Sequence, residues 1–155
     1  MNSCISSIII PDLTCNDTGY SIFDFSRFTQ VESIEIGNNC FAFVKTFKIK
    51  RLNRLKTIKI GINSFAYKKN SDEYYFLKSF RILNCESLES IQIGEYSFSD
   101  FAGDFELKNL PQLQSIQIGT FGAESNNFHR SSFVIRGIEM IMNIVMIRSS
   151  KSTNH

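Results

Sequence analysis

Isoleucine, a polar residue, isoleucine and glycine occur in that order at residues 34–37, 58–61, 91–94 and 116–119. Each string has an aliphatic residue three positions upstream: Val31, Leu55, Leu88 or Leu113. Apolar residues at alternate positions are the signature of a strand that buries one face. Two looser copies flank the four: Ile5-x-x-Ile8-x-Ile10-Pro11 before them, and Ile141-x-x-Ile144-x-Met146-Ile147 after. The closing positions 11, 37, 61, 94, 119 and 147 lie 26, 24, 33, 25 and 28 residues apart, so one real insertion is expected, in the 33-residue interval.

A second string recurs upstream of the first: Phe23-x-Phe25-x-x-Phe28, Phe47-x-Ile49-x-x-Leu52, Phe80-x-Ile82-x-x-Cys85, Phe105-x-Leu107-x-x-Leu110 and Phe133-x-Ile135-x-x-Ile138. The unit is F-x-I-x-x-L-x-x-L-x-x-I-x-I-G. It predicts two short strands per coil on opposite sides of a flattened core, joined where a spacing of three lets the chain turn. Glycine at the strand end is expected to release the backbone into a turn. Pro11, which has no amide to donate, suits the end of an edge strand. Four residues after the glycine stand Phe41, Phe65 and Phe98, preceded by Cys40, Ser64 and Ser97 as a small-residue slot for a tight bend. One coil buries too little to hold itself, so successive coils must stack and pair their strands in parallel. The expectation is an all-β-dominated repeat solenoid of about six coils, each a 24–28-residue repeat with two short parallel strands, over residues 1–147. At about 4.8 Å per strand the stack is roughly 25–30 Å long. Ile34, Ile58, Ile91, Ile116 and Ile144 should share one buried parallel ladder, and residues 148–155 form a polar tail expected to be disordered.

Leu55-x-x-Ile58-x-Ile60-x-x-Asn63 and the stretch from Val31 to Asn39 resemble the L-x-x-L-x-L-x-x-N core of leucine-rich repeats. The run from Cys85 through Leu88, Ile91, Ile93 and Gly94 to Ser97 and Phe98 is similar to the BspA-type form of that family, found in bacterial surface proteins and large protist families. The resemblance covers about residues 4–147. It implies a right-handed solenoid that binds other macromolecules and carries no catalytic residues. Tyr96 and Phe121 stand where the family's asparagine would be, so a continuous asparagine ladder is not expected. Neither end reads as a polar cap. The chain is therefore expected to belong to a longer array or to have minimal ends, and uncapped ends would permit end-to-end stacking.

Composition narrows the chemistry. The 43% apolar content suffices for a core, and 15 Phe with no Trp indicate one recurring slot. Cys4, Cys15, Cys40 and Cys85 form no C-x-x-C pair, and with only His129 and His155 available a zinc site lacks its ligand spacing. Reduced, structural thiols are expected, with no metal and no cofactor. No glycine-rich phosphate loop, H-E-x-x-H or G-x-S-x-G string occurs. His129 reads as a solvated loop residue, and Asp100 and Asp104 as a turn and a strand entry rather than an acid pair. Ile138–Ile147, the longest apolar stretch, is broken by Glu139 and Asn143 and is too short for a membrane span. No secretory signal is read, and the sequon Asn16-Asp17-Thr18 carries little weight; the compartment stays open, with the cytoplasm preferred.

The net charge is +2, yet nine of the 17 basic residues crowd into Lys45, Lys48, Lys50, Arg51, Arg54, Lys56, Lys59, Lys68 and Lys69 without one acid between them. Alignment sets Lys56 between Glu32 and Glu89, and Lys59 between Glu35 and Gln92, so cross-coil neutralisation is the expected use and nucleic acid an unexpected partner. The favoured function is a non-catalytic scaffold that binds a protein partner through its stacked strand face and the 68–75 insertion. The candidate residues are Glu35, Lys59, Gln92 and Gln117 on the face, and Tyr74 and Tyr75 in the insertion. The alternatives are a structural segment of a longer array, or an anion-binding surface centred on residues 45–69.

Overall fold

The computed structural model describes residues 4–67, 77–119, 127–128 and 131–138, and the backbone of 143–146. Eleven strands follow one another: β1 (Ser7–Ile10), β2 (Ile22–Asp24), β3 (Ser33–Ile36), β4 (Thr46–Lys50), β5 (Thr57–Ile60), β6 (Ser79–Leu83), β7 (Ser90–Ile93), β8 (Asp104–Lys108), β9 (Ser115–Ile118), β10 (Ser132–Arg136) and β11 (Asn143–Met146). Odd strands form a six-stranded sheet in the order β1-β3-β5-β7-β9-β11, and even strands a five-stranded sheet in the order β10-β8-β6-β4-β2. Every pairing is parallel. The chain is a β-solenoid, and no helix occurs among the described residues.

Register follows the repeat. Ile8, Ile34, Ile58, Ile91, Ile116 and Ile144 are successive partners across the first sheet. Ile34, Ile58, Ile91 and Ile116 are buried, as the alternation requires; the Ile144 side chain and residues 148–155 lie outside the described residues. The L-x-x-L spacing is a β-turn: the amides of Val31, Leu55 and Leu113 donate to the carbonyls of Phe28, Leu52 and Leu110 three residues back. The turn's two polar residues therefore lie outside while its apolar ends point inward.

Phenylalanine fills two adjoining columns of the core. Phe23, Phe47, Phe80 and Phe105 stack nearly parallel, with centroids 4.7, 4.6 and 4.9 Å apart, and Phe133 extends the column at 4.5 Å. Phe41, Phe65, Phe98 and Phe128 form the second, at 5.0, 4.6 and 4.9 Å. Within each coil the columns meet edge to face, as for Phe47 and Phe65 at 86° or Phe80 and Phe98 at 83°. Both arrangements suit the aromatic quadrupole, and each buried pair adds about 0.5–1.5 kcal/mol beyond area burial.

Phe128 corrects the alignment. It takes the slot nine residues after Gly119 rather than four, so the fifth coil carries a second insertion beside the one in the 33-residue interval. Asn127 correspondingly takes the slot of Cys40, Ser64 and Ser97. That slot does more than allow a bend. Ser64 Oγ donates to the Gly37 carbonyl at 2.7 Å and accepts from the Cys40 amide at 3.1 Å. Ser97 repeats the pattern with Gly61 and Ser64, at 2.6 and 2.9 Å. Asn127 Nδ2 donates to the Gly94 carbonyl at 2.7 Å. A buried backbone group left without a partner costs about 1–3 kcal/mol, so this ladder satisfies what the turn would strand.

Three of the strand-end glycines act differently from the expectation, whereas Gly119 has the left-handed backbone that glycine permits, at φ 82°. Gly37, Gly61 and Gly94 do not have positive φ; a side chain is excluded there by the coil beneath. A Cβ on Gly94 would lie 2.5 Å from the Gly61 carbonyl oxygen. Left-handed backbone falls instead two residues later, at Asn39, Asn63 and Tyr96, and four later, at Phe41, Phe65 and Phe98.

Candidate functional site

The outer face of the first sheet is built by strand alternation. Because Ile34, Ile36 and their equivalents point inward, the residue between each pair must point out. Glu35, Lys59, Gln92 and Gln117 are exposed and stand side by side in register. Ile9, 69% exposed, continues the column at one end, and Val145 holds the register position at the other. Two residues upstream runs a hydroxyl column, Ser7, Ser33, Thr57, Ser90 and Ser115, in which Ser7 and Ser33 share a hydrogen bond of 2.9 Å. The expected face is thus one continuous surface.

Ion pairs border it. Arg54 meets Glu32 at 2.6 Å and Lys56 meets the same carboxylate at 3.7 Å. The hydrogen bond from Arg54 and the charges of Lys56 and Arg54 hold the Glu32 carboxyl below its ordinary range. Beside these lies an open depression of about 660 Å³ lined by Lys56, Glu86, Ser87, Glu89, Pro111 and Gln112. Glu86, Ser87, Pro111 and Gln112 are the tips of two successive L-x-x-L turns. Alignment placed Glu32, Lys56 and Glu89 in one column but gave no sign of a hollow there.

Tyr74 and Tyr75 lie outside the described residues, as do Lys68, Lys69 and His129. The residues flanking that insertion are described and were missed. Tyr67 is half exposed and packs on Phe43 at 4.7 Å, and Leu77 is 92% exposed. Their apolar character, next to the added length, was the available signal.

The second sheet carries its own charges. Asp24, Lys48, Arg81 and Glu106 stand in one register column. Lys48 lies 3.9 Å from Asp24, and Arg81 lies 3.4 Å from Glu106 and 2.9 Å from Asp104. Burial alone would raise the Asp24 carboxyl, but hydrogen bonds from Ser26 and the charge of Lys48 outweigh it and leave the group lowered. Asp104 therefore opens β8 as read and Asp100 lies in a turn, but Asp100 is buried, 2.6 Å from the equally buried Lys78. Nothing in the sequence pointed to that pair. The Lys78 ammonium also lies 5.6 Å from the Phe101 ring centroid.

Cys40 and Cys85 are buried and free, and burial raises the Cys85 thiol above its ordinary value. Cys4, in contrast, is exposed and Cys15 half-buried, so they are not core thiols. Among the described residues no group of three or more His, Cys, Asp or Glu is placed to hold a metal ion, and no helix is long and apolar enough to cross a membrane. Comparison of the chain with protein-family models, curated proteins and solved structures finds no match.

Proposed function

We propose that the chain is a non-catalytic binding module that presents the outer face of its six-stranded sheet, with the insertion at 68–75, to a protein partner. The observation that carries this reading is the unbroken exposed column of Glu35, Lys59, Gln92 and Gln117, flanked by hydroxyls on one side and Ile9 at its end. The column reaches over six parallel strands, about 24 Å at strand spacing. Its side chains are held by backbone pairing rather than by a mobile loop, and a rigid display lowers the ordering cost of association. Tyr67 and Leu77, exposed beside the insertion, supply the apolar anchor area that the column lacks. The resemblance of the I-x-I-G strings to BspA-type leucine-rich repeats supports the same use of a strand face.

A display library of peptides tests the proposal. Binders selected on the wild-type chain should lose at least about tenfold in affinity, or about 1.4 kcal/mol, on a Gln92→Arg, Gln117→Arg variant whose melting is unchanged. Binders that ignore this pair and also ignore Tyr67→Ser would place the recognition surface elsewhere.

A further inference from the structure

The basic cluster at residues 45–69 separates into two groups in three dimensions. Lys48, Arg54 and Lys56 are matched by carboxylates of a neighbouring coil, and Lys59 stands beside Glu35. Lys45, Lys50 and Arg51 have no ion pair among the described residues, and Lys68 and Lys69 lie outside them. Lys50 ends β4 with its side chain on the outer face of the second sheet, and its register partners continue through Leu83 to Lys108 and Arg136. The next column holds Arg51, Asn84, Asn109 and Gly137, where Asn109 Nδ2 donates to Asn84 Oδ1 at 2.7 Å. These two columns carry four cations over four strands and no acid. No carboxylate among the described residues pairs with any of the four.

The contrast with the adjoining column is the decisive point. There Lys48 and Arg81 are also neighbours, yet each has a carboxylate on its far side. Lys108 and Arg136 are direct register partners without an ion pair among the described residues, the nearby Glu106 being engaged by Arg81, and such like-charge pairing costs stability. The same sheet that balances the column of Asp24, Lys48, Arg81 and Glu106 leaves this border positive.

We infer that this border, from Lys50 and Arg51 to Lys108 and Arg136, is a docking strip for a linear sulfated polysaccharide. It lies on the sheet away from the proposed protein-binding face and is independent of that reading. Its cations stand at β4, β8 and β10, with the uncharged Leu83 and Asn84 between them at β6, so the strip complements an extended chain of fixed anionic groups laid along the stack. Neither column contains an aromatic side chain, so a single-stranded nucleic acid would find no surface on which to stack its bases. Recognition by charge alone suits a sulfated sugar polymer, whose binding releases condensed counterions as phosphate polymers do.

The test is the binding of a labelled heparin oligosaccharide to the full chain, followed by fluorescence anisotropy. Affinity should fall about fiftyfold between about 50 and 200 mM salt if four cations are engaged. Lys108→Gln with Arg136→Gln, and separately Lys50→Gln with Arg51→Gln, should each weaken low-salt binding by roughly tenfold per cation removed. The control pair Lys56→Gln with Lys59→Gln should leave affinity within about twofold. No binding at low salt overturns the proposal, as does an equal loss in the control pair, which would mark a response to net charge. Single-stranded RNA bound as tightly as heparin, and weakened by the same variants, would replace the sugar polymer with a nucleic acid and also overturn it.

Discussion

The core and the surface of this solenoid follow opposite rules for the same reason. Stacking sets equivalent positions of successive coils side by side, so whatever residue repeats must tolerate itself as a neighbour. Phenylalanine does. Phe47 and Phe80, or Phe65 and Phe98, gain dispersion and a favourable ring offset from being alike. Charge does not, and the outer columns are balanced by substitution: Glu32 below Arg54 and Lys56, Glu35 beside Lys59, Glu106 beside Arg81. The repeat is therefore strict inside and varied outside, and the basic border at Lys108 and Arg136 departs from the outer rule.

The largest effect should come from breaking likeness inside. Phe80 touches Phe47 and Phe105 in its own column and Phe98 and Phe128 in the other. Phe80→Ala should cost near the upper end of about 3–5 kcal/mol, read as a lowered denaturant midpoint with a near-constant m-value. A loss under about 1 kcal/mol would show that the columns relax around the gap.

Next comes the place where, among the described residues, charge lies inside. Asp100→Ala takes a carboxylate partner from the buried Lys78 ammonium and should cost up to about 3 kcal/mol. Lys78→Met with Asp100→Leu should recover most of that, because a buried pair contributes little net stability over a well-packed apolar replacement. If the double variant is as damaged as the single one, the pair is needed for geometry rather than merely tolerated.

Outside, Lys56→Glu would set like charges against Glu32 and beside Glu89, and should lower the unfolding midpoint slightly. An unchanged midpoint would mean that solvent screens the column. The smallest effect is acid titration. Glu32 has a folded-state carboxyl below its ordinary value of 4.5, so its contribution is complete above that pH and is lost as pH falls through the depressed value. Glu32→Gln should remove that part of the acid-limb slope in a plot of melting temperature against pH.

Much of this arrangement was legible in the sequence because period-two alternation and repetition report the same positions twice. The strands, the isoleucine ladder, the Phe41, Phe65 and Phe98 slot and the outward residues Glu35, Lys59, Gln92 and Gln117 were all readable. Features that depend on contacts between coils were less so. Phe128 was hidden by an insertion that shifts it off the fixed offset. The Lys78–Asp100 pair joins positions 22 residues apart whose meeting depends on coil packing. Gly61 and Gly94 were assigned a turn conformation because a sequence shows a missing side chain without showing what would collide with it. The unneutralised border required knowing which cations had already found partners.

The left-handed phenylalanines bear on how the molecule forms. Phe41, Phe65, Phe98 and Phe128 have φ between 49° and 57°, a region that costs a residue with a bulky side chain about 1–2 kcal/mol. A lone coil has no ring above or below to offset that cost, so the turn would not hold its shape before a neighbour arrived. Nucleation should therefore require at least two adjacent coils, after which each added coil meets a template already in the required conformation. Folding would then spread along the axis as in a one-dimensional chain, from any pair of coils whose phenylalanines have met.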